Sequence, residues 1–368
     1  MRVIVSVTND IVTDQRVERT CEVLRALGAD VTLMGRKLNK SLPVDRPYKV
    51  KRWRLLFNKT GLFYAEYNIR LFFYLLFHHA DLLFANDLDT LPANVLAKRI
   101  KNIPVIYDSH EYFCGVPELE NRKMVKSVWK YIEKKCIRHI TTMITVNKSI
   151  ARLYKNEYNV DAHVVRNIAC QRFIPEAGEV EQIRNNVGKP FFIYQGVINV
   201  NRGIEEVIQA MEFIDDYKFV IAGDGDLFDK IKRHINSLSW KDNIIVLGRL
   251  HPRELVKYTN SAIMGISPEN DTCTNYHYAL PNKLFDYINA GLPVLVSNLV
   301  EMVDIVQNYN IGQIIESHQP QRLASQIINM LNNKDLMHSY STNVVKAKQQ
   351  LSWSREANIL SDILKKHL

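Results

Sequence analysis

Two doubly wound α/β domains, each a parallel sheet covered by helices on both faces, are what this sequence predicts. Three observations carry the prediction. Short apolar runs alternate with amphipathic helical stretches through nearly the whole chain, the pattern of strands joined by crossover helices. The 368 residues exceed what one ordinary hydrophobic core holds. Residues 167–189 form a polar stretch with proline and glycine but no β-rich run, and they divide the alternation into two series.

In the first series "RVIVSV" (2–7) precedes a helix over 15–27, and "DVTLMG" (30–35) follows it. Next come "ADLLFAN" (80–86), a helix near 91–100, "PVIYDS" (104–109) and a long basic helix near 122–139. "MITVN" (143–147) and "AHVVRN" (162–167) close the series. The second opens with "PFFIYQG" (190–196), a helix over 203–213 and "YKFVIAGDG" (217–225). It continues through "NIIVLG" (243–248) and "AIMGISP" (262–268), each preceded by a helix. Leu284, Phe285, Ile288 and Leu292 then recur at helical spacing, Gly291 and Pro293 stop that helix, and "PVLVS" reads as a buried strand. The expected organisation is a domain over 1–168, a linker over 169–189 and a domain over 190–348. A last helix, 349–368, is expected to pack back on the first domain.

Hydrophobic content of 46% and charged content of 24% are those of a soluble globular protein. The five cysteines stand far apart with no C-x-x-C pair, which points to reduced structural thiols and a cytoplasmic setting. The start, "MRVIVSVTND", lacks the basic, apolar and small-residue order of a signal peptide. The longest apolar segment, 61–84, is broken by Glu66, Arg70, His78, His79 and Asp81 and reads as a buried or interfacial helix.

Chemistry is suggested where cations meet helix starts. Asn282, Lys283 and Asp286 stand at the head of an otherwise apolar helix, where unpaired backbone N–H groups and a cation suit a phosphate. Arg202, in "NRG", begins another helix beside a glycine. Read singly, both cations are equally well solvated helix-end charges. Gly223 and Gly225, in "GDG", make a tight turn after a strand that lets a ligand approach the backbone, although no G-x-G-x-x-G is present. Two Asp-x-Asp pairs, Asp87/Asp89 and Asp224/Asp226, are read as non-metal positions. Asp89 or Thr90 is expected to cap the helix in which Pro92 is an early residue.

"YQGVINVNRGIEEVIQAM", "VIAGDGDL", "NIIVLGRL" and "ALPNKLFDYINAGLPVLVS" stand in the order and spacing of the C-terminal domain of retaining glycosyltransferases of family 4. "NDIVTDQRVERTCEVLRALGADVTLMG" and "VIYDSHEYF" resemble the N-terminal counterpart. The resemblance implies a GT-B fold: two Rossmann-like domains facing across a cleft, the second holding a nucleotide-diphosphate-sugar, the first an acceptor.

The resemblance also implies roles. Arg202 and Lys283 would hold the diphosphate and stabilise its charge as it departs, with Asn282 and Arg249 beside the nucleotide. Asp286 matches the second glutamate of the family's pair, a carboxylate on the ribose hydroxyls. Tyr278 falls where the first glutamate would stand, a departure that bears on how the sugar is read. Val197 replaces an arginine found in many relatives, and Lys283 is read as its substitute. His110 would lie beside the donor sugar. Asn9, Asp10, Asp14 and Arg16, in a loop without the family's glycines, are candidates for the acceptor side; read from the residues alone, they are an Asp cap and a helix-surface Arg. No metal and no cofactor beyond the nucleotide sugar is implied.

Lysine and arginine far outnumber acids over 1–167, while 168–368 is near balance, within a chain of net charge +9. Basic clusters at 48–59 and 121–139 are interleaved with Trp53, Phe57, Trp129 and Tyr131. This combination suits an anionic membrane surface. Nucleic acid is set aside because no reading module appears. The sequence thus points to a cytoplasmic, peripherally membrane-associated, metal-independent transferase acting on a saccharide or lipid-linked saccharide. The rivals are another GT-B enzyme (an epimerase or a phosphorylase) and a non-catalytic nucleotide-sugar binder.

Overall fold

The computed structural model describes residues 1–368 apart from Thr13, Lys40, Gln171 and Arg172. The chain forms two compact units, Met1–Asn167 with Trp353–Leu368, and Ile168–Ser352.

The first unit is built on seven parallel strands: β1 (Arg2–Asp10), β2 (Asp30–Arg36), β3 (Lys49–Trp53), β4 (Leu82–Asn86), β5 (Val105–Ser109), β6 (Thr142–Thr145) and β7 (Ala162–Val164). Their order is β3-β2-β1-β4-β5-β6-β7, so the topology reverses between β1 and β4. β4 and β5 are buried along their whole length, as expected of central strands covered on both faces. Ligand sites of such sheets lie beyond the strand carboxyl ends near this reversal. The loops after β1, β4 and β5 therefore matter most.

The sequence reading missed β3. It is an edge strand with no buried residue, and its "KVKRW" lacks the apolar signal of an inner strand. The segment at 61–84 contains the helix Thr60–Phe77, which buries Phe63, Tyr67, Leu71 and Leu75 at four-residue spacing. Leu62, Ile69, Phe73 and Phe77 remain exposed on its other side. The helix Trp353–Leu364 lies in this unit: Leu360, Ile363 and Leu364 share a core with Val17 and Leu24. Its buried Glu356 accepts the Arg166 amide at 2.8 Å, and Trp353 lies under the Arg19 guanidinium at 5.0 Å.

The second unit holds six parallel strands: β8 (Phe191–Gln195), β9 (Lys218–Ala222), β10 (Ile244–Gly248), β11 (Met264–Ser267), β12 (Val294–Val296) and β13 (Gly312–Ile314). Their order is β10-β9-β8-β11-β12-β13, with the reversal between β8 and β11. One apolar cluster lies around Phe192, Ile221 and Ile266, and a second around Phe191, Val220 and Val296. β13, three half-buried residues, also escaped the sequence reading.

The stretch expected to be a linker, 169–189, is not plain linker. Glu176 and Glu179 form a reciprocal capping box that starts the helix Ala177–Val187, and its Ile183 and Val187 pack into the unit's core. Gln171 and Arg172 of that stretch lie outside the described residues.

Candidate functional site

In the second unit the site grows from loops at the carboxyl ends of β8, β9 and β11. Tyr287 fixes the reversal point: its hydroxyl donates toward the carbonyls of Ile193 and Ile266 and accepts the Gln195 amide, each at 3.1 Å. Gly203 has φ +69°, and a Cβ there would stand 1.8 Å from the Pro268 carbonyl. Only glycine permits that approach, which seats Arg202 against the loop after β11.

Lys283 is nearly buried, 7% exposed, in the first turn of the helix Asn282–Ala290. Its Nζ donates to Glu269 Oε1 at 2.6 Å and lies 3.8 Å from the centre of the Tyr194 ring. Arg202 reaches within 3.9 Å of the same Glu269 oxygen, its guanidinium 4.9 Å over the Tyr276 ring. Each cation therefore stands between an aromatic face and one carboxylate. Pro281, the N-cap residue, offers no side-chain acceptor to the amides of the Asn282 helix. Arg202 Nε is buried without a hydrogen-bond acceptor among the described residues.

Glu269 was missed in the sequence. It is 1% exposed and accepts the Ser267 hydroxyl at 2.7 Å. Burial alone would raise its pKa, but Lys283, the Ser267 hydroxyl and Arg202 hold it below the usual carboxylate value, so it is ionised at neutral pH. The three groups sum to one net positive charge. The only sequence signal was a lone acid between a proline and "NDT" after a strand.

The remaining expected donor residues are placed as follows. Asp286 is half-buried and accepts Gln195 Nε2 at 2.8 Å, while Gln195 Oε1 accepts Thr259 Oγ1 at 2.6 Å. Asn282 and Arg249 are exposed. Gly223 and Gly225 serve a close approach, but the approaching group is the chain itself. A Cβ at Gly223 would stand 1.8 Å from the Gly196 carbonyl, and one at Gly225 2.5 Å from the Ile198 carbonyl. Amides of Gly196 and Ile198 bond Ala222 and Asp224 carbonyls at 3.0 Å, which locks the loops after β8 and β9 together.

The first unit carries a separate charged cluster. His110, just after β5, has Nδ1 3.2 Å from Asp87, with Nε2 3.3 Å from Asp108 and 3.2 Å from Asn86 Oδ1. Burial would lower its pKa, but Asp87 and Asp108 raise it well above 6.5, so the ring is an imidazolium at neutral pH. Both ring nitrogens are thus engaged by the unit's own groups. Asp87 also accepts the His110 amide at 3.0 Å from a left-handed backbone, φ +58°.

Arg16 corrects the sequence reading. At 5% exposed it does not lie on the helix surface. Its Nε and Nη2 grip Asp108 at 2.9 and 2.7 Å, and Nη1 donates to the Val165 carbonyl at 2.9 Å. Of its neighbours, Asp14 caps the helix Gln15–Ala26 by accepting the Val17 amide at 3.1 Å, and Asn9 donates to Asp14 at 3.1 Å. Asp10 accepts the Ser41 hydroxyl and lies 3.6 Å from Arg52. The cap expected from Asp89 or Thr90 is also corrected: Thr90 is the N-cap residue of the helix Leu91–Lys101 but makes no side-chain cap bond. Its hydroxyl donates back to the Asn86 carbonyl at 2.8 Å. Asp89 instead accepts the Thr8 hydroxyl, and its other oxygen is buried without a partner among the described residues.

Comparison with known proteins matches both units. The family model described as Glycosyltransferase Family 4 matches residues 14–169, and that described as Glycosyl transferases group 1 matches residues 177–347. Two uncharacterised glycosyltransferases of Methanocaldococcus jannaschii are each 22% identical to the chain, over 71% and 66% of it and 68% and 63% of their own lengths. Among solved structures, sucrose-phosphate synthase from Thermosynechococcus elongatus has a TM-score of 0.84 at 15% identity, covering 100% of this chain and 98% of its own. Anabaena HepE in complex with UDP-glucose gives 0.77 at 12% identity, with 100% of both chains covered. WaaG, a glycosyltransferase involved in lipopolysaccharide biosynthesis, gives 0.75 at 15%, over 98% of this chain and 99% of its own. With its two parallel-sheet units, the chain has the GT-B fold.

Proposed function

From a chain whose two units both match glycosyltransferases of the family 4 type, we propose a transferase that moves a sugar from a nucleotide-diphosphate-sugar to a saccharide acceptor, with retention of configuration. The observation that carries this reading is the convergence of Arg202 and Lys283 on one site beside an uncapped helix start. A departing nucleoside diphosphate needs fixed positive charge and amide dipoles as its bond to the sugar breaks. Arg202 and Lys283 supply that charge, so the reading calls for no divalent ion. Asp286, oriented by Gln195, accepts the ribose hydroxyls, with Asn282 and Arg249 beside the nucleotide. The HepE structures contain UDP and UDP-glucose, which supports a nucleotide sugar as the donor.

His110, an imidazolium with 16% of its side chain exposed, does not act as a general base at neutral pH. Both of its N–H groups are held by Asp87, Asp108 and Asn86, so its part is a fixed positive charge in the sugar region. In the transfer, the bond from the sugar's anomeric carbon to the phosphate oxygen breaks. The acceptor oxygen bonds that carbon from the same face, and its proton passes to the departing phosphate. Positioning and charge stabilisation then supply most of the rate.

The acceptor reading extends to a lipid-linked saccharide in cell-surface polysaccharide assembly, with the first unit resting on an anionic cytoplasmic leaflet. Leu62, Ile69, Phe73 and Phe77 on the helix Thr60–Phe77 are exposed, as are Leu96 and Ile100 on the helix Leu91–Lys101 packed beside it. Met124 and Val128 extend the apolar surface onto Lys123–Ile137, which also carries five lysines. Basic side chains beside exposed apolar ones complement an anionic bilayer surface. Of the aromatic residues noted in the sequence, Phe57 and Tyr131 are exposed. Trp53 packs on Tyr67, and Trp129 on Tyr64 and Phe113. Among the described residues, no helix is long and apolar enough to cross a membrane.

The donor reading is tested by thermal stabilisation with UDP, GDP, ADP and CMP and their sugar conjugates, with and without magnesium. A ligand at about 100 times its dissociation constant adds roughly 2.7 kcal/mol. One nucleotide should stabilise the chain without metal, and Arg202→Ala or Lys283→Ala should abolish most of the shift. No shift with any nucleotide would overturn the reading in favour of a non-catalytic chain, the outcome for which Tyr278 gives a reason.

A further inference from the structure

Glu269 poses a physical problem. Two cations proposed to hold a diphosphate are both turned toward a carboxylate that is itself 1% exposed. Enclosing that carboxylate costs several kcal/mol unless its lone pairs are satisfied. The structure satisfies them with the Ser267 hydroxyl at 2.7 Å, Lys283 at 2.6 Å and Arg202 at 3.9 Å. Replacing a buried ion pair with apolar groups of similar volume is often neutral or stabilising, so stability alone does not account for the arrangement. Two features point to the charge itself. Arg202 lies in the loop after β8 and Lys283 in the first turn of the helix Asn282–Ala290, on either side in sequence of the β11 loop that carries Glu269, and it is their shared carboxylate. Each cation is also backed by an aromatic ring, Tyr194 or Tyr276, with the carboxylate as its ion-pair partner.

We propose that Glu269 is a positioning residue for the diphosphate of the donor: it holds Lys283 and Arg202 in place while cancelling one of their two charges, so that the product nucleoside diphosphate can leave. The proposal rests on the donor reading of this unit. With Glu269 present, the trio offers one net positive charge to an incoming diphosphate, and the cations are already ordered when it arrives. Without its charge they offer two, and the product is held more tightly than turnover can use. The ligand concerned is a diphosphate, irrespective of its base.

Glu269→Gln keeps the size and the Ser267 hydrogen bond but removes the charge. Calorimetry with inorganic pyrophosphate and with UDP should show at least tenfold tighter binding than the wild type, while the affinity for uridine stays unchanged. In turnover, KM and kcat should fall together as product release slows. Glu269→Asp keeps the charge but shortens the reach to Lys283, and it should weaken pyrophosphate binding with uridine again unaffected. A purely structural Glu269 would change stability and bind all three ligands in the same proportion as before. That result, or unchanged pyrophosphate affinity in either variant, overturns the proposal. Should Glu269→Gln fail to fold, the Asp variant decides. If the wild type binds neither pyrophosphate nor any nucleoside diphosphate, the donor reading itself fails, and this proposal with it.

Discussion

Replacing Arg16 by methionine separates a structural arginine from an acceptor-binding one. Arg16 makes two bonds to Asp108 and one to the Val165 carbonyl, with the two side chains 4% and 2% exposed. Methionine fills much of the space but leaves Asp108 buried with His110 as its only remaining cation among the described residues. Breaking one side of a buried pair costs about 3–5 kcal/mol, because the stranded charge stays desolvated. In a unit of this size each kcal/mol moves the midpoint by about 2–4 °C, so a fall of about 6–20 °C is expected. Hydrogen exchange of the β4 and β5 amides, followed through urea unfolding, assigns the loss to the first unit. Arg16→Met combined with Asp108→Leu should recover most of it, since both partners are then gone. A single variant within about 1 kcal/mol of wild type, with a raised acceptor KM, would refute the reasoning and return Arg16 to the acceptor.

Two further expectations follow from the first unit. Burial, then the charge of Asp87, pushes Asp89 up to about 7, whereas an unfolded chain has it near 3.8. Between those values the folded state binds the extra proton, so the unit loses stability as pH rises from about 4 to 7, by at most about 4 kcal/mol. Asp108, held low by Arg16 and His110, loses its contribution only below that window, and His110, raised by its carboxylates, only from about 6.5 upward, at the window's upper edge. Asp89→Asn should flatten the slope of thermal midpoint against pH, and an unchanged slope would remove Asp89 as its source. On the surface, Phe73→Ser with Phe77→Ser should weaken sedimentation with phosphatidylserine vesicles without altering nucleotide binding; equal binding to neutral and anionic vesicles would exclude the anionic-bilayer reading.

What the sequence made legible was what periodicity and local spacing encode. Both parallel sheets, the helix stop at Gly291 and the cation at the head of the Asn282 helix are of this kind. What it concealed depends on partners remote in sequence. Arg16 reads as a surface residue of a first helical turn until Asp108, 92 positions later, closes over it. Glu269 reads as a loop acid until Lys283, 14 positions on, turns back to meet it. β3 escaped because an edge strand can be basic and half-exposed. The helix Ala177–Val187 is polar along most of its length, yet its Glu176/Glu179 pair carried a start signal that could have been read.

The placement of the helix Trp353–Leu364 has a consequence for how the chain is made. Synthesis proceeds from the amino end, and domains generally fold as they emerge. The first unit's seven strands emerge early, but Leu360, Ile363 and Leu364, which close its core around Val17 and Leu24, come more than 180 residues after β7. The second unit, Ile168–Ser352, has all its own segments before that helix appears. The unit that begins first is therefore completed last, and until then it exposes an apolar groove along the helix Gln15–Ala26. A nascent chain of this topology is most vulnerable to aggregation late in synthesis, with one unit finished and the other still open.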